Sequence, residues 1–120
     1  MKTLQSFSYA LKGIKACFVS EANFKIHTAF AAMAFLLALL FHVSLQQWAA
    51  LLFCVALVLT TEMINTAIEK LCDVVHTGLH PQIKIVKDIA AGAVLVAACC
   101  SVIIGAIIFL PLIFSAVKNL

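Results

Sequence analysis

Three long runs of apolar residues constrain the fold of this chain more than any other feature of its sequence. They cover approximately residues 27–43, 48–68 and 89–114. The chain has 120 residues, of which 65% are hydrophobic and 11% are charged. A helix of about 17–25 apolar residues crosses the ~30 Å hydrocarbon core of a bilayer and satisfies its own backbone hydrogen bonds there. We therefore predict an all-α membrane protein, a single domain with three transmembrane helices.

The first residues have a different pattern, which indicates a helix on the membrane surface. Between residues 4 and 24, apolar side chains recur every three or four positions, and lysines and a glutamate interrupt them. This spacing is typical of an amphipathic helix whose apolar face lies in the bilayer interface. Because the segment has no apolar core that ends in a small-residue cleavage site, we do not expect a cleavable signal peptide.

The distribution of lysine predicts the orientation of the chain in the membrane. Four lysines precede the first apolar run, three lie around the second loop and one is near the C-terminus: Lys2, Lys12, Lys15, Lys25, Lys70, Lys84, Lys87 and Lys118. Lysine-rich segments stay in the cytoplasm, so we predict a cytoplasmic N-terminus and an external C-terminus. Since these lysines flank membrane segments and form no soluble basic face, nucleic acid is not an expected partner.

All five acidic residues are predicted to lie towards the cytosolic face: Glu21, Glu62, Glu69, Asp73 and Asp88. Three of them form the run Glu62-x-x-Asn65-x-x-x-Glu69-x-x-x-Asp73, whose side chains share an arc of roughly 80° on a helix. Glu62 lies about 21 Å beyond Trp48 along the axis, and Glu69 about 32 Å, at the cytosolic boundary of the bilayer. Carboxylates beside an apolar span are costly, so this stripe indicates a functional site.

Such a cluster suits Mg²⁺-assisted phosphoryl transfer. Magnesium binds one or two carboxylates and completes its shell with water and phosphate oxygens, a role that fits the depth of Glu21 and Glu69. Lys87 would neutralise phosphate charge. Glu62 lies deeper, where partial loss of hydration suits a general base that acts on a lipid hydroxyl, and Asn65 would orient a carboxylate or phosphate. A polar helix face that only holds the spans together remains an alternative.

Four ordered motifs also resemble one known family. The run from Glu62 to Asp73 is similar to the signature of the small prokaryotic diacylglycerol kinases, which include the undecaprenol kinases. The resemblance extends to residues 9–15, 20–27 and 80–95. It implies three transmembrane helices, a surface helix and a homotrimer in the bacterial cytoplasmic membrane. It also implies transfer of the ATP γ-phosphate, with Mg²⁺, to a membrane lipid alcohol at the cytosolic interface.

The resemblance also implies roles for individual residues. Glu62 matches the catalytic base and Asn65 a second catalytic position, whereas Glu21 and Glu69 match the acids that coordinate the metal. Asp73 matches a further motif acid of the active site. The residues expected to contact the nucleotide are Tyr9, Glu21, Glu69, His80, Lys87 and Asp88.

Two short segments favour one branch of that family. Residues 23–27 and the pair His80-Pro81 are more similar to the undecaprenol kinases, and His27 occupies a position that is Glu in the best-known diacylglycerol kinases. Undecaprenol is therefore the favoured acceptor and diacylglycerol the alternative. Two other classes also carry an embedded acid: a small proton-coupled multidrug transporter, whose carboxylate would lie near the midplane, and a structural membrane subunit.

Overall fold

The described residues, 2–120 of a computed structural model, form four α-helices joined by short connections. They are α1 (Lys2–Ser20), α2 (Ala22–Leu40), α3 (Leu45–Val75) and α4 (Pro81–Lys118). No strand occurs in this range, which confirms the all-α fold. Helices α2, α3 and α4 are long and apolar enough to cross a membrane, whereas the N-terminal helix α1, which has 19 residues like α2, is less apolar.

The junction between the first two helices lies earlier than the sequence predicts. The expected surface helix covers residues 4–24, but α1 ends at Ser20 and α2 begins at Ala22. Glu21 between them has an extended backbone, with φ −110° and ψ 113°. The Ser20 hydroxyl donates to the Ala16 carbonyl at 2.7 Å, a local bond that competes with helix continuation. The break therefore places the Glu21 carboxylate at the corner between surface and membrane helices.

A capping box starts α3 four residues after the end of α2. The Ser44 hydroxyl accepts from the Gln47 amide at 3.2 Å, and the Gln47 side chain accepts from the Ser44 amide at 3.0 Å. His42 has a φ of 52°, which turns the chain between the two helices. Because this box satisfies the first free N–H groups, α3 begins at Leu45 rather than at the expected Trp48. The short loop makes α2 and α3 an antiparallel pair.

The loop between α3 and α4 ends at His80, earlier than the sequence predicts, because α4 begins at Pro81. Pro81 is the first residue of α4, where its missing N–H costs nothing, and His80 caps the helix through Nδ1, which accepts from the Gln82 amide at 3.1 Å. α4 thus begins eight residues before the predicted span at residue 89. At 1.5 Å per residue, α3 and α4 are about 46 Å and 57 Å long, so both extend beyond the ~30 Å hydrocarbon core.

Apolar packing is concentrated at the end of the bundle near the first loop. Ala38, Leu51, Ile108 and Phe109 form a buried cluster there, and the Phe35 and Trp48 rings pack beside it at 5.9 Å. At the opposite end, Phe24 is buried and meets the Phe18 ring edge-on, which ties α1 to α2. The apolar cluster anchors three helices at one end and leaves the polar residues of α3 near the other.

Candidate active site

One face of α3 carries all the polar residues that are buried within residues 2–120. Glu62, Asn65 and Thr66 are 3%, 7% and 3% exposed, and they occupy adjacent positions on successive turns. Glu69, one turn further, is half-buried, and Asp73 is exposed. The acidic stripe predicted from the sequence therefore runs from a fully enclosed carboxylate to a solvated one. Burial of that kind costs several kcal/mol for a charged group unless partners stabilise it.

The enclosed carboxylate has one facing partner on another helix. His27 of α2 places its Nε2 atom 3.9 Å from Glu62 Oε2. The two groups differ in access, since the His27 side chain is 23% exposed and that of Glu62 only 4%. Glu62 also lies within the electrostatic field of Glu69 and Glu21. The deepest acid of the stripe therefore faces one imidazole and is influenced electrostatically by two further carboxylates.

Asn65 holds the next acid of the stripe in place. Its Nδ2 atom donates to Glu69 Oε1 at 3.3 Å across one helical turn. Its Oδ1 atom is buried and has no hydrogen-bond partner among residues 2–120. A buried, unpartnered carbonyl oxygen is costly, and in a catalytic site it is ready to accept a bond from a ligand. Asn65 therefore fixes one carboxylate and leaves one acceptor atom free.

Two lysine–carboxylate pairs line the outer end of the site. Lys87 Nζ on α4 contacts Asp73 Oδ1 on α3 at 2.8 Å, and Lys84 Nζ contacts Asp88 Oδ2 at 2.7 Å within α4. All four side chains remain accessible to water to a considerable extent, so each pair exchanges readily with a phosphate. Lys87 and Asp88 are thus adjacent in sequence, but only Lys87 is paired with the acidic face of α3.

Glu21 reaches the same region from the corner between α1 and α2. The buried thiol of Cys17 lies beside it: burial raises the pKa of Cys17, and the Glu21 carboxylate raises it further. Glu62 also raises the pKa of Cys17, whereas Lys70 lowers it. Glu21 and Glu62 therefore lie near one buried group, and Cys17 remains a protonated, unreactive thiol at neutral pH.

Two predicted nucleotide contacts lie outside this cluster of side chains. Tyr9 is 67% exposed on α1, where the Lys12 ammonium lies 5.7 Å from its ring centre. His80 caps α4, and its ring packs edge-on against His76 at 5.3 Å. His80 therefore has a structural role in starting α4, which its position in the second loop did not reveal. Tyr9 presents an accessible aromatic face on the surface helix.

The oxygen donors are chemically suited to magnesium, although they form no enclosed metal centre. Between residues 2 and 120, no group of three or more His, Cys, Asp or Glu side chains is arranged to hold an ion. Magnesium needs only one or two carboxylates when phosphate and water supply its remaining ligands. Glu69, oriented by Asn65, and Glu21 at the corner are oxygen donors of the required kind. The residues therefore fit an ion that arrives with its nucleotide.

The pairing of His27 with Glu62 is the main feature that the sequence pattern missed. A signal for it exists, because the short first loop makes α2 and α3 antiparallel. His27 lies 17 residues before Ser44, and Glu62 lies 18 residues after it, so the two reach similar depths. The same counting applies to Asp73 and Lys87, which each lie seven residues from His80. The number of residues from a tight turn therefore predicts which side chains of neighbouring helices lie at the same depth, and the periodicity of one helix does not give this depth.

Known proteins match this chain over most of its length. The family model described as prokaryotic diacylglycerol kinase matches residues 8–109. A diacylglycerol kinase from Synechocystis is 40% identical over 113 residues, which make up 93% of this chain. The chain spans 65% of the length of that relative.

Two further relatives differ in the lipid that they are named for. An undecaprenol kinase from Bacillus subtilis is 38% identical over 89% of this chain and 87% of its own length. A diacylglycerol kinase from Escherichia coli is 28% identical over 85% of this chain and 84% of its own length. Both kinds of acceptor thus occur among proteins similar to this one. The family match over residues 8–109, together with these relatives, shows that the chain belongs to the prokaryotic diacylglycerol kinase family, which consists of lipid kinases.

Proposed function

We propose that the protein transfers the γ-phosphate of ATP to the hydroxyl group of a membrane lipid at the cytosolic interface. The observation that carries this proposal is the buried carboxylate of Glu62, which is 3% exposed on an apolar helix and continuous with a stripe that reaches water. A lipid alcohol approaches such a carboxylate from the bilayer, and a nucleotide approaches the solvated end of the stripe. The transporter and structural-subunit alternatives do not account for the membership of a lipid kinase family.

In the proposed reaction, Glu62 is the general base. Its carboxylate accepts the proton of the lipid hydroxyl as the oxygen forms a bond to the γ-phosphorus of ATP. The bond between that phosphorus and the β,γ-bridging oxygen breaks, and ADP leaves. Burial favours this role, because the enclosed carboxylate is shielded from water and meets the lipid hydroxyl within the apolar part of the bundle. Asn65, whose Oδ1 atom is free, orients the reacting groups beside it.

The outer residues bind the nucleotide in this proposal. Glu69 and Glu21 would hold a magnesium ion, which would supply positive charge that offsets the charge of the transferred phosphoryl group. Lys87 exchanges its contact with Asp73 for a phosphate oxygen, and Asp88 and Tyr9 contribute further contacts to ATP. This division is supported by exposure, since Tyr9, Asp73 and Asp88 are exposed while Glu62 is enclosed. The cytosol is therefore the proposed source of ATP, with the N-terminus on that side and the C-terminus outside.

We also propose that the active assembly is a homotrimer, as the family resemblance implies. Polar groups within the hydrocarbon region must be kept away from lipid, and the three spans of one copy leave Glu69 of the acidic stripe only half-buried. The small-residue stretch at residues 90–93 supports close helix packing, but Ala90 is already buried within the chain. The remaining small residues of that stretch are more accessible and are available to a neighbouring copy.

Replacement of Glu62 by Gln should abolish most turnover while the protein still folds and binds ATP. The amide has nearly the same shape but does not accept the hydroxyl proton, and loss of a general base typically costs about 10²–10⁴ in rate. Lipid phosphorylation by purified Glu62→Gln should be compared with that of Thr60→Val, whose hydroxyl bonds only to the carbonyl groups of its own helix. An unchanged kcat in Glu62→Gln would refute the assignment of the base.

Glu21→Gln and Glu69→Gln should each raise the Mg²⁺ concentration that gives half-maximal rate, because each removes one anionic oxygen ligand. The matched control is Glu62→Gln, which makes the same chemical change on the same helix as Glu69. Its rate should fall without a change in the Mg²⁺ dependence. The measurement is a Mg²⁺ titration at fixed ATP and lipid concentrations. If all three variants keep the wild-type midpoint, the metal role of Glu21 and Glu69 is wrong.

Undecaprenol should be a better acceptor than diacylglycerol. This expectation rests on the segment at residues 23–27 and on His80-Pro81, which resemble the undecaprenol kinases, and the Bacillus subtilis relative supports it. The measurement is kcat/KM for each lipid in mixed micelles of fixed composition. A tenfold preference for diacylglycerol, equal to about 1.4 kcal/mol of transition-state stabilisation, would reverse the choice of acceptor and leave the phosphoryl-transfer mechanism unchanged.

A further inference from the structure

We propose that His27 binds the hydroxyl oxygen of the lipid acceptor, and that an apolar groove beside His27 holds the hydrocarbon chain of that lipid. This inference rests on the proposed function, since it adds the acceptor site to the reaction in which Glu62 removes the hydroxyl proton. His27 lies on α2, a different helix from the acidic stripe, and no step of the mechanism above uses it.

The distance between the two side chains suits an inserted oxygen atom. His27 Nε2 and Glu62 Oε2 are 3.9 Å apart, which is too far for a direct hydrogen bond. An N–H···O bond of about 2.9 Å and an O–H···O bond of about 2.7 Å together span more than this gap, so one hydroxyl oxygen reaches both atoms with an angle of roughly 90° at the oxygen. In that arrangement His27 donates to the hydroxyl oxygen, and the hydroxyl donates to Glu62.

An apolar groove begins at His27, one of its lining residues, whereas Glu62 lies behind His27 and does not line it. The groove has a volume of about 340 Å³ and lies between α2, α3 and α4, with Phe30, Ala34, Val58 and Ala98 among its lining residues. The only polar side-chain groups along the groove are the His27 imidazole, the Cys54 thiol and the Ser101 hydroxyl. The Ser101 hydroxyl already has a hydrogen-bond partner, since it donates to the Cys54 carbonyl oxygen at 3.4 Å. A ligand that fits this surface is therefore a hydrocarbon chain with one polar end.

The position of His27 within the groove fixes the direction of that ligand. The groove extends along α2 from His27 towards Ala34, about 10 Å at 1.5 Å per residue. It therefore runs into the hydrocarbon region, away from Glu21 and the cytosolic end. A lipid alcohol with its chain in the groove presents its hydroxyl at His27 and Glu62. The groove therefore suits the hydrocarbon chain of the acceptor lipid. It does not suit the nucleotide, because the nucleotide is charged and the lining is apolar.

Substitution of His27 separates acceptor binding from nucleotide binding. His27→Leu removes the donor and should raise the KM for the lipid about tenfold, in keeping with one lost hydrogen bond to a buried site, while the KM for ATP stays within about twofold. His27→Gln is the matched variant, because its side-chain amide donates from nearly the same position. It should restore most of the lost lipid affinity. A merely structural role for His27 would alter both KM values together.

Filling the groove tests the second half of the proposal. Ala31 lines the groove, and its neighbour Ala32 is exposed and does not. Ala31→Leu should raise the KM for undecaprenol several-fold but leave that for dimethylallyl alcohol, a single isoprene unit, unchanged. Ala32→Leu adds the same volume on another face and should alter neither value. Equal effects of the two substitutions would overturn the assignment of the groove.

The remaining outcomes distinguish this inference from the proposed function. An unchanged lipid KM in His27→Leu, or a defect in His27→Gln as large as that in His27→Leu, would overturn the hydrogen-bonding role while the wild-type kinase activity stands. If the wild-type protein transfers phosphate to no lipid alcohol at all, the proposed function itself fails. Activity towards lipid in the wild type, with the pattern above in the variants, supports both.

Discussion

The burial of one carboxylate among apolar helices is the interaction on which the rest of this structure depends. Glu62 is almost completely enclosed, and an unpaired charge in such surroundings is costly. Its neighbours limit that cost: the His27 imidazole faces it from α2, and α3 continues towards water with Asn65 and Glu69. Apolar packing at the opposite end of the bundle joins the same three helices, α2, α3 and α4.

The two ends of the bundle differ in composition, with apolar packing at one end and charged residues at the other. At the end near the first loop, Ala38, Leu51, Ile108 and Phe109 pack together, and burial of such side chains contributes about 25 cal/mol per Å² of apolar area. At the end that carries the acidic stripe, α3 and α4 are longer than a bilayer core requires, and their charged residues are exposed. The candidate site therefore runs from an enclosed carboxylate to exposed charged residues, which fits the proposed reaction between a lipid and a soluble nucleotide.

Much of this arrangement follows from the sequence because it depends on local patterns. The apolar runs predict the spanning helices, and the spacing from Glu62 to Asp73 places those acids on one face of α3. The sequence pattern did not reveal the bend at Glu21, because a local Ser20 bond and an extended residue decide it. It also missed the start of α3 at Leu45, although the Ser44-x-x-Gln47 capping box was a readable signal.

Contacts between helices are harder to predict than the helices themselves. The His27–Glu62 and Asp73–Lys87 pairs depend on the lengths of two loops and on the rotation of each helix about its axis. The periodicity of a single helix contains neither quantity. Counting residues from each turn gives the depth of a side chain but not the face that it occupies. The proposed nucleotide contacts depend further on ATP itself, because Lys87 would have to exchange Asp73 for a phosphate oxygen.

Transfer of label from ATP to lipid tests the central claim most directly. Purified protein in vesicles that contain a lipid alcohol would receive ATP labelled at the γ-phosphate, and the lipids would then be extracted. Our account predicts that label accumulates in the lipid fraction as a phosphate ester, whereas ATP labelled at the α-phosphate leaves the lipids unlabelled. Label that remains in ATP, or that appears only as inorganic phosphate while the lipid alcohol is present, would contradict it.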